Sequence, residues 1–160
     1  MLSIFSRLLV AGALALGLAV ASQAQAAGVP PSDGVVTVKS LYPIDETIER
    51  LKKDVAAKGI VFFQEIDQAK LAANAGVKLP RSTLLVFGNP PLGTLFLTSN
   101  PLSGLDWPVR LLVFEDRSGQ VWAAYTDFSW IAHRHGIMDR DPQFAMATGV
   151  IASITSTVAK

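Results

Sequence analysis

The stretch PVRLLVFEDRSGQVWAAYT, residues 108–126, decides the fold. Two runs rich in apolar and β-branched residues, Pro108 to Glu115 and Gln120 to Thr126, flank the polar sequence Asp116-Arg117-Ser118-Gly119. Such runs joined by a short, glycine-containing turn predict a β-hairpin. Because a hairpin pairs its two strands antiparallel, the sheet is not the parallel sheet of an alternating βα protein.

Three more strands are predicted before the hairpin, at residues 34–40, 60–66 and 83–87. Short helices follow three of the five strands, and each begins after a residue that is typical of a helix N-cap, namely Asp67, Asn89 and Asp127. A longer helix that opens at Asp141-Pro142 closes the chain. We therefore expect an α+β domain, β-α-β(4)-α, with one curved antiparallel sheet of about five strands and helices on one face.

The first long helix is predicted from about Pro43 to Gly59. Its apolar residues recur at helical spacing, and they are Ile44, Ile48, Leu51 and Val55. The pairs Glu46–Arg50 and Glu49–Lys53 have the i,i+4 spacing of ion pairs on the exposed side of a helix.

The N-terminal segment has the pattern of a secretory signal peptide. A single charge at Arg7 precedes an apolar run from Leu8 to Val20, and Ala24-Gln25-Ala26 matches the small-residue cleavage rule. The run is shorter than the roughly 20 residues that a spanning helix needs. We predict a signal peptide at residues 1–26, a flexible leader at 27–33 and a single domain at 34–160, in a protein that is periplasmic or secreted and leaves the membrane after cleavage.

Composition excludes several classes of function. The signal segment holds one charged residue, Arg7, so the remaining chain carries 13 basic and 13 acidic residues. A chain of zero net charge has no general attraction to nucleic acid, and no nucleic-acid partner is expected. The chain has no cysteine, which excludes disulfides, thiolate metal sites and cysteine nucleophiles.

Four carboxylates at predicted strand ends are candidate catalytic residues: Asp67, Glu115, Asp116 and Asp127. Paired carboxylates perform acid–base chemistry when their environments separate their pKa values. Helix capping by Asp67 and Asp127, and solvation of Glu115 and Asp116 at the hairpin tip, explain the same residues without a function. Both interpretations stay open at this point.

The candidate binding residues are Asp67, Gln68, Asn89, Tyr125, Asp127 and His135. Asn89 opens a predicted helix whose N-terminus suits an anion, although the glycine pattern of nucleotide sites is absent. His133 and His135 are two residues apart, so on a helix they point about 200° apart and do not clamp one metal ion. No metal site and no cofactor is predicted.

The motifs occur together in a recognisable order: Phe63-Gln64-Glu65-Ile66-Asp67, Ala72-Ala73-Asn74-Ala75, Leu84-Leu85-Val86-Phe87-Gly88-Asn89-Pro90, Asn100-Pro101-Leu102, Asp106-Trp107-Pro108, Val113-Phe114-Glu115-Asp116 and Arg134-His135-Gly136. In this order they resemble the bacterial and archaeal family called domain of unknown function 302. The resemblance implies a TATA-binding-protein-like fold, often seen as a homodimer, and no established activity. Members often carry His where this chain has Gln68, which lowers the expectation of a metal.

Two functions from different classes follow. The first is an exported, non-catalytic binding or accessory module, homodimeric, that takes a small molecule or a protein partner between the sheet and the helices. The alternative is a cofactor-independent enzyme that uses the four carboxylates, with Asn89 and Tyr125 positioning the substrate. A metal-binding or redox-accessory role would rest on His135.

Overall fold

The computed structural model describes residues 33–159. The predicted signal peptide, and the predicted leader up to residue 32, lie outside these residues. The strands are β1 (Val35–Lys39), β2 (Val61–Asp67), β3 (Ser82–Gly88), β4 (Val109–Glu115) and β5 (Val121–Thr126). The helices are α1 (Ile44–Ala57), α2 (Gln68–Asn74), α3 (Pro90–Ser99), α4 (Phe128–Arg134) and α5 (Asp141–Ser156), with a 3-10 helix at Pro101–Leu105.

The five strands form one antiparallel sheet in the order β1-β5-β4-β3-β2. The hairpin of β4 and β5 lies in its middle, with β3 and β2 on one side and β1 on the other. The predicted α+β class and the five-stranded antiparallel sheet are confirmed.

The hydrophobic core lies between one face of this sheet and the helices. Leu85, Leu111, Val113 and Ala123 alternate with more exposed residues along β3, β4 and β5, and each is at most 1% exposed. Because side chains alternate between the two faces of a strand, these residues share one face. The apolar stripes of α1 and α5 cover that face, and each buries several side chains in the same cluster.

The opposite face of the sheet, here called the open face, carries Leu84, Val86, Leu112, Phe114 and Trp122. All five side chains are only half-buried. The register places them on neighbouring strands in three adjoining rungs. The domain therefore presents a continuous apolar surface on the side of the sheet away from α1 and α5.

The three predicted N-caps begin helices in the structure. The side chains of Asp67, Asn89 and Asp127 each accept a hydrogen bond from the backbone N–H three residues further on, at 2.8, 3.1 and 2.9 Å. These bonds satisfy donors that a helix cannot satisfy within itself. Local sequence signals thus set the starts of α2, α3 and α4.

One predicted ion pair on α1 is wrong. Glu46 and Arg50 pair as expected, at 2.7 Å. Glu49 instead pairs with Lys52, at 3.2 Å. Lys52 also reaches Glu65 on β2, at 3.0 Å, so its ammonium bridges the helix and the sheet edge between two carboxylates. The i,i+4 spacing within α1 does not predict the contact between Lys52 and Glu65, because Glu65 lies on β2.

Candidate ligand cavity

A cavity of about 340 Å³ opens where the sheet ends against α3 and α5. Phe87, near the end of β3, pairs with Val109 at the start of β4, and both line the cavity from the core face. The other wall is α5, whose buried face supplies Ala147, Ile151 and Ile154. The cavity therefore sits between the sheet and the helices, at one edge of the hydrophobic core.

The floor of the cavity is apolar and its mouth is polar. Phe87 and Ile154 are at most 2% exposed, and Phe96 and Phe128 add aromatic surface. The lining also holds Ile60, Leu92, Val109, Met146, Ala147, Val150 and Ile151. A cleft with this apolar lining favours apolar ligands.

Trp107 forms one wall because α3 has a glycine opposite it. A Cβ added at Gly93 would lie 1.9 Å from the indole Nε1 and 2.1 Å from Cε2. Gly88 gives the same ring a second close approach, since a Cβ added there would lie 3.1 Å from Nε1. The edge of Phe63 meets the Trp107 ring, with the two centroids 6.2 Å apart. The indole is therefore held against the backbone of α3, a position that any side chain at residue 93 would block.

Three polar groups border the cavity, and all three offer hydrogen-bond donors. Lys58 and Asn89 are exposed and lie at the same end of the sheet, because Val61 pairs with Gly88. The Asn89 Oδ1 already accepts the capping hydrogen bond from the Leu92 N–H, so the NH2 group of Asn89 is the part that can donate to a ligand. Within residues 33–159 the Trp107 Nε1–H donates no hydrogen bond.

Comparison with known proteins assigns the family. The model of the family described as "Domain of unknown function DUF302" matches residues 36–158. The chain belongs to the DUF302 family. The crystal structure of an uncharacterised conserved DUF302 protein from Bacillus stearothermophilus matches with a TM-score of 0.71 and 18% identity, over 78% of this chain and 98% of that chain. At this identity the match shows a shared fold and nothing finer.

Two curated relatives share the DUF302 region in a longer chain. Proteins named "Fluoride-specific ion channel FluC 1" from Brucella suis biovar 1 and Brucella abortus biovar 1 are each 40% identical to this chain over 129 residues. The match covers 79% of this chain but only 49% and 46% of theirs. This chain thus spans about half the length of the curated relatives that it matches. No helix within residues 33–159 is long and apolar enough to cross a membrane.

The predicted site residues of this DUF302 domain are dispersed, and Asn89 alone among them lines the cavity. Asp67 and Gln68 lie at the other end of β2, where the Gln68 Oε1 accepts a hydrogen bond from the Ser82 Oγ at 2.8 Å. Asp127 caps α4, and the Ser129 hydroxyl donates to the same carboxylate. The neighbour of Asp127, Phe128, reaches the cavity instead.

Asp67 and Asp127 do not converge. Asp67 shares a rung with Thr83, Val113 and Ala123, whereas Asp127 lies four residues beyond Ala123 and three strands away. Strand spacing puts them about 14 Å apart across the sheet and about 13 Å apart along it. The register therefore gives these two carboxylates no common pocket.

Asp116 is held by the hairpin turn. Its Oδ1 accepts hydrogen bonds from the backbone N–H and the hydroxyl of Ser118 and from the backbone N–H of Gln120, and its Oδ2 accepts one from the Trp122 Nε1 at 2.8 Å. These bonds, the Ser118 hydroxyl first and the Trp122 indole next, lower the pKa of Asp116 to about 2. A carboxylate with this pKa is a poor proton donor or acceptor near neutral pH.

Glu115 and Asp67 both face Arg81. The Arg81 guanidinium forms a two-bond ion pair with Asp45 at the start of α1. The hydrogen bond to Asp45 raises the pKa of Arg81, and the charges of Glu115 and Asp67 act in the same direction. This group of acids therefore surrounds a paired arginine at the end of the sheet away from the cavity.

Tyr125 lies on the core face of β5. Burial raises the pKa of the Tyr125 hydroxyl, the charge of Asp127 adds to this effect, and a hydrogen bond with Thr155 of α5 opposes it. The contact with Thr155 makes Tyr125 part of the joint between the sheet and α5.

His135 belongs to a buried ionic cluster that sequence reasoning missed. The Asp106 carboxylate lies 2.7 Å from the His135 Nε2 and accepts hydrogen bonds from Arg134, at 3.0 Å, and Arg110, at 3.1 Å. The Asp106 and His135 side chains are 4% and 5% exposed. The Asn100 side chain donates to the His135 carbonyl at 2.8 Å. The cluster connects the 3-10 helix and β4 to the end of α4. Residues 33–159 contain no group of three His, Cys, Asp or Glu side chains that could hold a metal ion.

Proposed function

We propose that this DUF302 protein is an exported, non-catalytic binding module that holds a small, largely apolar molecule in the cavity between β3, β4, α3 and α5. One observation carries the proposal: a cleft of about 340 Å³ with an apolar floor opens beside the hydrophobic core. Clefts lined mainly by apolar side chains with a few polar groups are typical of small-molecule sites. Export is supported by the signal-peptide pattern of residues 1–26.

The chemistry of the lining favours binding over catalysis. Lys58 is the single ionisable side chain among the described residues that line the cavity. General acid–base catalysis needs a positioned group within hydrogen-bond reach of the reacting atom, and usually a second group to orient it. The carboxylates that would serve an enzyme lie elsewhere: Asp67 and Asp127 cap helices, Asp116 is bound within the hairpin turn, and Glu115 lies near Arg81.

A homodimer formed through the open face completes the proposal. The face spans five strands, about 19 Å across, and the five apolar side chains that define it are only half-buried in one copy. The face has the composition of an interface core, with Leu112, Phe114 and Trp122 near its middle, and Lys39 and Arg110 toward its margin.

Native mass spectrometry of the protein purified from the cell envelope without added ligand tests the binding proposal. We expect a discrete extra mass on the wild-type protein. The variant Val150→Phe fills the cavity from α5 and loses that mass, whereas Ala145→Phe, on an exposed position of the same helix, keeps it. Retention of the same mass by Val150→Phe would place the ligand elsewhere and contradict the proposal.

Light scattering after size-exclusion chromatography tests the dimer. The wild-type protein should elute at twice the chain mass, and Leu112→Glu should elute as a folded monomer, because a buried, unpaired carboxylate in the interface is costly. Ala152→Glu, on the exposed side of α5 and away from the open face, is the charge control and should remain dimeric. A monomeric wild-type protein at micromolar concentration would overturn this part of the proposal.

The accessory part of the proposal is supported by the Brucella relatives. Proteins named as fluoride-specific ion channels carry a region similar to this chain in about half of their length. A domain that occurs in one chain with a region named as a channel is suited to a supporting role beside a membrane protein. Co-purification of this chain with envelope membrane proteins, compared between wild type and Leu112→Glu, tests whether the open face serves such a partner instead of a second copy.

A further inference from the structure

The polar side chains that border the cavity share one property: each offers a hydrogen-bond donor to a ligand. Lys58 offers an ammonium, Asn89 an NH2 group and Trp107 an indole N–H, and the described residues that line the cavity include no aspartate or glutamate. The one side-chain acceptor among them, the Asn89 Oδ1, already accepts the capping bond of α3. A ligand that uses these groups must therefore bring acceptors, and the net charge of the lining favours a negative one.

The burial gradient fixes the orientation of such a ligand. Phe87 and Ile154, at the floor, are fully buried, whereas Lys58 and Asn89, at the mouth, are exposed. A chain or ring placed on the floor loses contact with water, and a charged group placed at the mouth keeps part of its hydration. This arrangement avoids the large cost of burying an ion in an apolar space.

We propose that the ligand is a small apolar carboxylate, with its hydrocarbon part against Phe87 and Ile154 and its carboxylate between Lys58, Asn89 and the Trp107 Nε1. The assignment rests on the proposed function, since it names the ligand class of the same cavity. A volume of about 340 Å³ lies at the small end of the range of small-molecule sites, which suits a small acid.

Lys58 already forms an ion pair with Asp54. Its Nζ lies 2.6 Å from the Asp54 Oδ2, an i,i+4 pair at the end of α1. An ammonium carries three hydrogens, so the bond to Asp54 leaves donors for a ligand. The Asp54 charge weakens the attraction of Lys58 for an anion, and Lys58 remains the one charged donor of the cavity lining that distinguishes a carboxylate from an alcohol.

Calorimetric titration with octanoate and with octanol tests the proposal, because the two probes share one hydrocarbon chain and differ in the head group. We expect octanoate to bind about tenfold more tightly than octanol, as one charge-assisted hydrogen bond predicts. Lys58→Met keeps the stem that lines the cavity and removes the charge, and it should weaken octanoate about tenfold while octanol changes less than about twofold.

The matched control is Lys53→Met, which removes the same charge from the exposed side of the same helix, away from the cavity. Its octanoate affinity should stay within about twofold of wild type. Equal affinities for octanoate and octanol, or equal losses in both lysine variants, would overturn the carboxylate assignment and leave the cavity as an apolar site. Absence of binding by both probes would contradict the proposed function together with this inference.

Discussion

The contact between Gly93 and Trp107 allows a sharp test of the cavity wall. In Gly93→Ala, the new Cβ lies 1.9 Å from the indole Nε1, whereas ordinary contacts begin at 3.4 Å, so the ring must retreat by about 1.5 Å. Overfilling a well-packed site costs about 1–3 kcal/mol. The replacement of Gly by Ala inside a helix stabilises the helix by about 1 kcal/mol, which offsets part of this cost. The variant should therefore be destabilised by about 1 kcal/mol net, and it should lose ligand affinity because Trp107 moves.

Gly149→Ala is the matched control for this experiment. Gly149 lies inside α5, is exposed, and has nothing within 4 Å of a Cβ added there. The substitution then changes only the intrinsic helix propensity of this position, and we expect it to stabilise the folded protein by about 1 kcal/mol. Urea unfolding followed by circular dichroism should separate the two variants by about 2 kcal/mol, or by roughly 8 °C in Tm. Equal stabilisation of both variants would refute the placement of the indole against α3.

Three further predictions concern groups outside the cavity. Asp106→Ala should cost about 1–3 kcal/mol in urea unfolding, because the buried His135 Nε2 loses its hydrogen-bond partner while the half-exposed Arg134 regains water; a loss below about 0.5 kcal/mol would show that the cluster is not structural. Since the pKa of Asp116 is lowered to about 2 from an ordinary value of 3.8, its contribution is present above about pH 4 and is lost as the pH falls toward 2. Acid unfolding of Asp116→Asn should be flatter over that window than wild type, and identical curves would contradict the turn geometry. Asp67→Ala should lose about 1 kcal/mol of helix capping and leave octanoate affinity unchanged; a changed affinity would reopen a ligand role for Asp67.

Local signals made much of the fold predictable. The hairpin follows from two β-rich runs around a glycine turn, and three helix starts follow from the capping residues Asp67, Asn89 and Asp127. Each of these features depends on residues within a few positions of one another. The resemblance to the DUF302 family rested on the order of many short motifs, and the family match confirms it.

The residues that line the cavity were not predictable from such local signals. Its walls come from β3, α3 and α5, so Phe87 and Ile154 meet across 67 positions of sequence. Gly93 reads as an ordinary helix glycine until Trp107, from a loop after the next helix, is placed against it. Asn89 was selected for its place at a helix start, and the same place brings it to the cavity mouth.

The ionic cluster was missed for a similar reason. Asp106 stands in a loop between a 3-10 helix and a strand, where an exposed carboxylate is the usual expectation. Its burial depends on Arg134 and His135, which reach it from the end of α4. The adjacent cations Arg134-His135 were a visible signal, but the partner that they require lies 28 and 29 positions earlier.

Methyl NMR during a titration with octanol tests the central claim most directly, because octanol probes the cavity without depending on the carboxylate assignment. We predict saturable shifts of the Val150, Ile151 and Ile154 methyl signals, with Leu84 and Leu112 on the open face unchanged. Shifts confined to the open face, or none at concentrations near the solubility of octanol, would contradict the account that this DUF302 domain holds an apolar molecule between its sheet and α5.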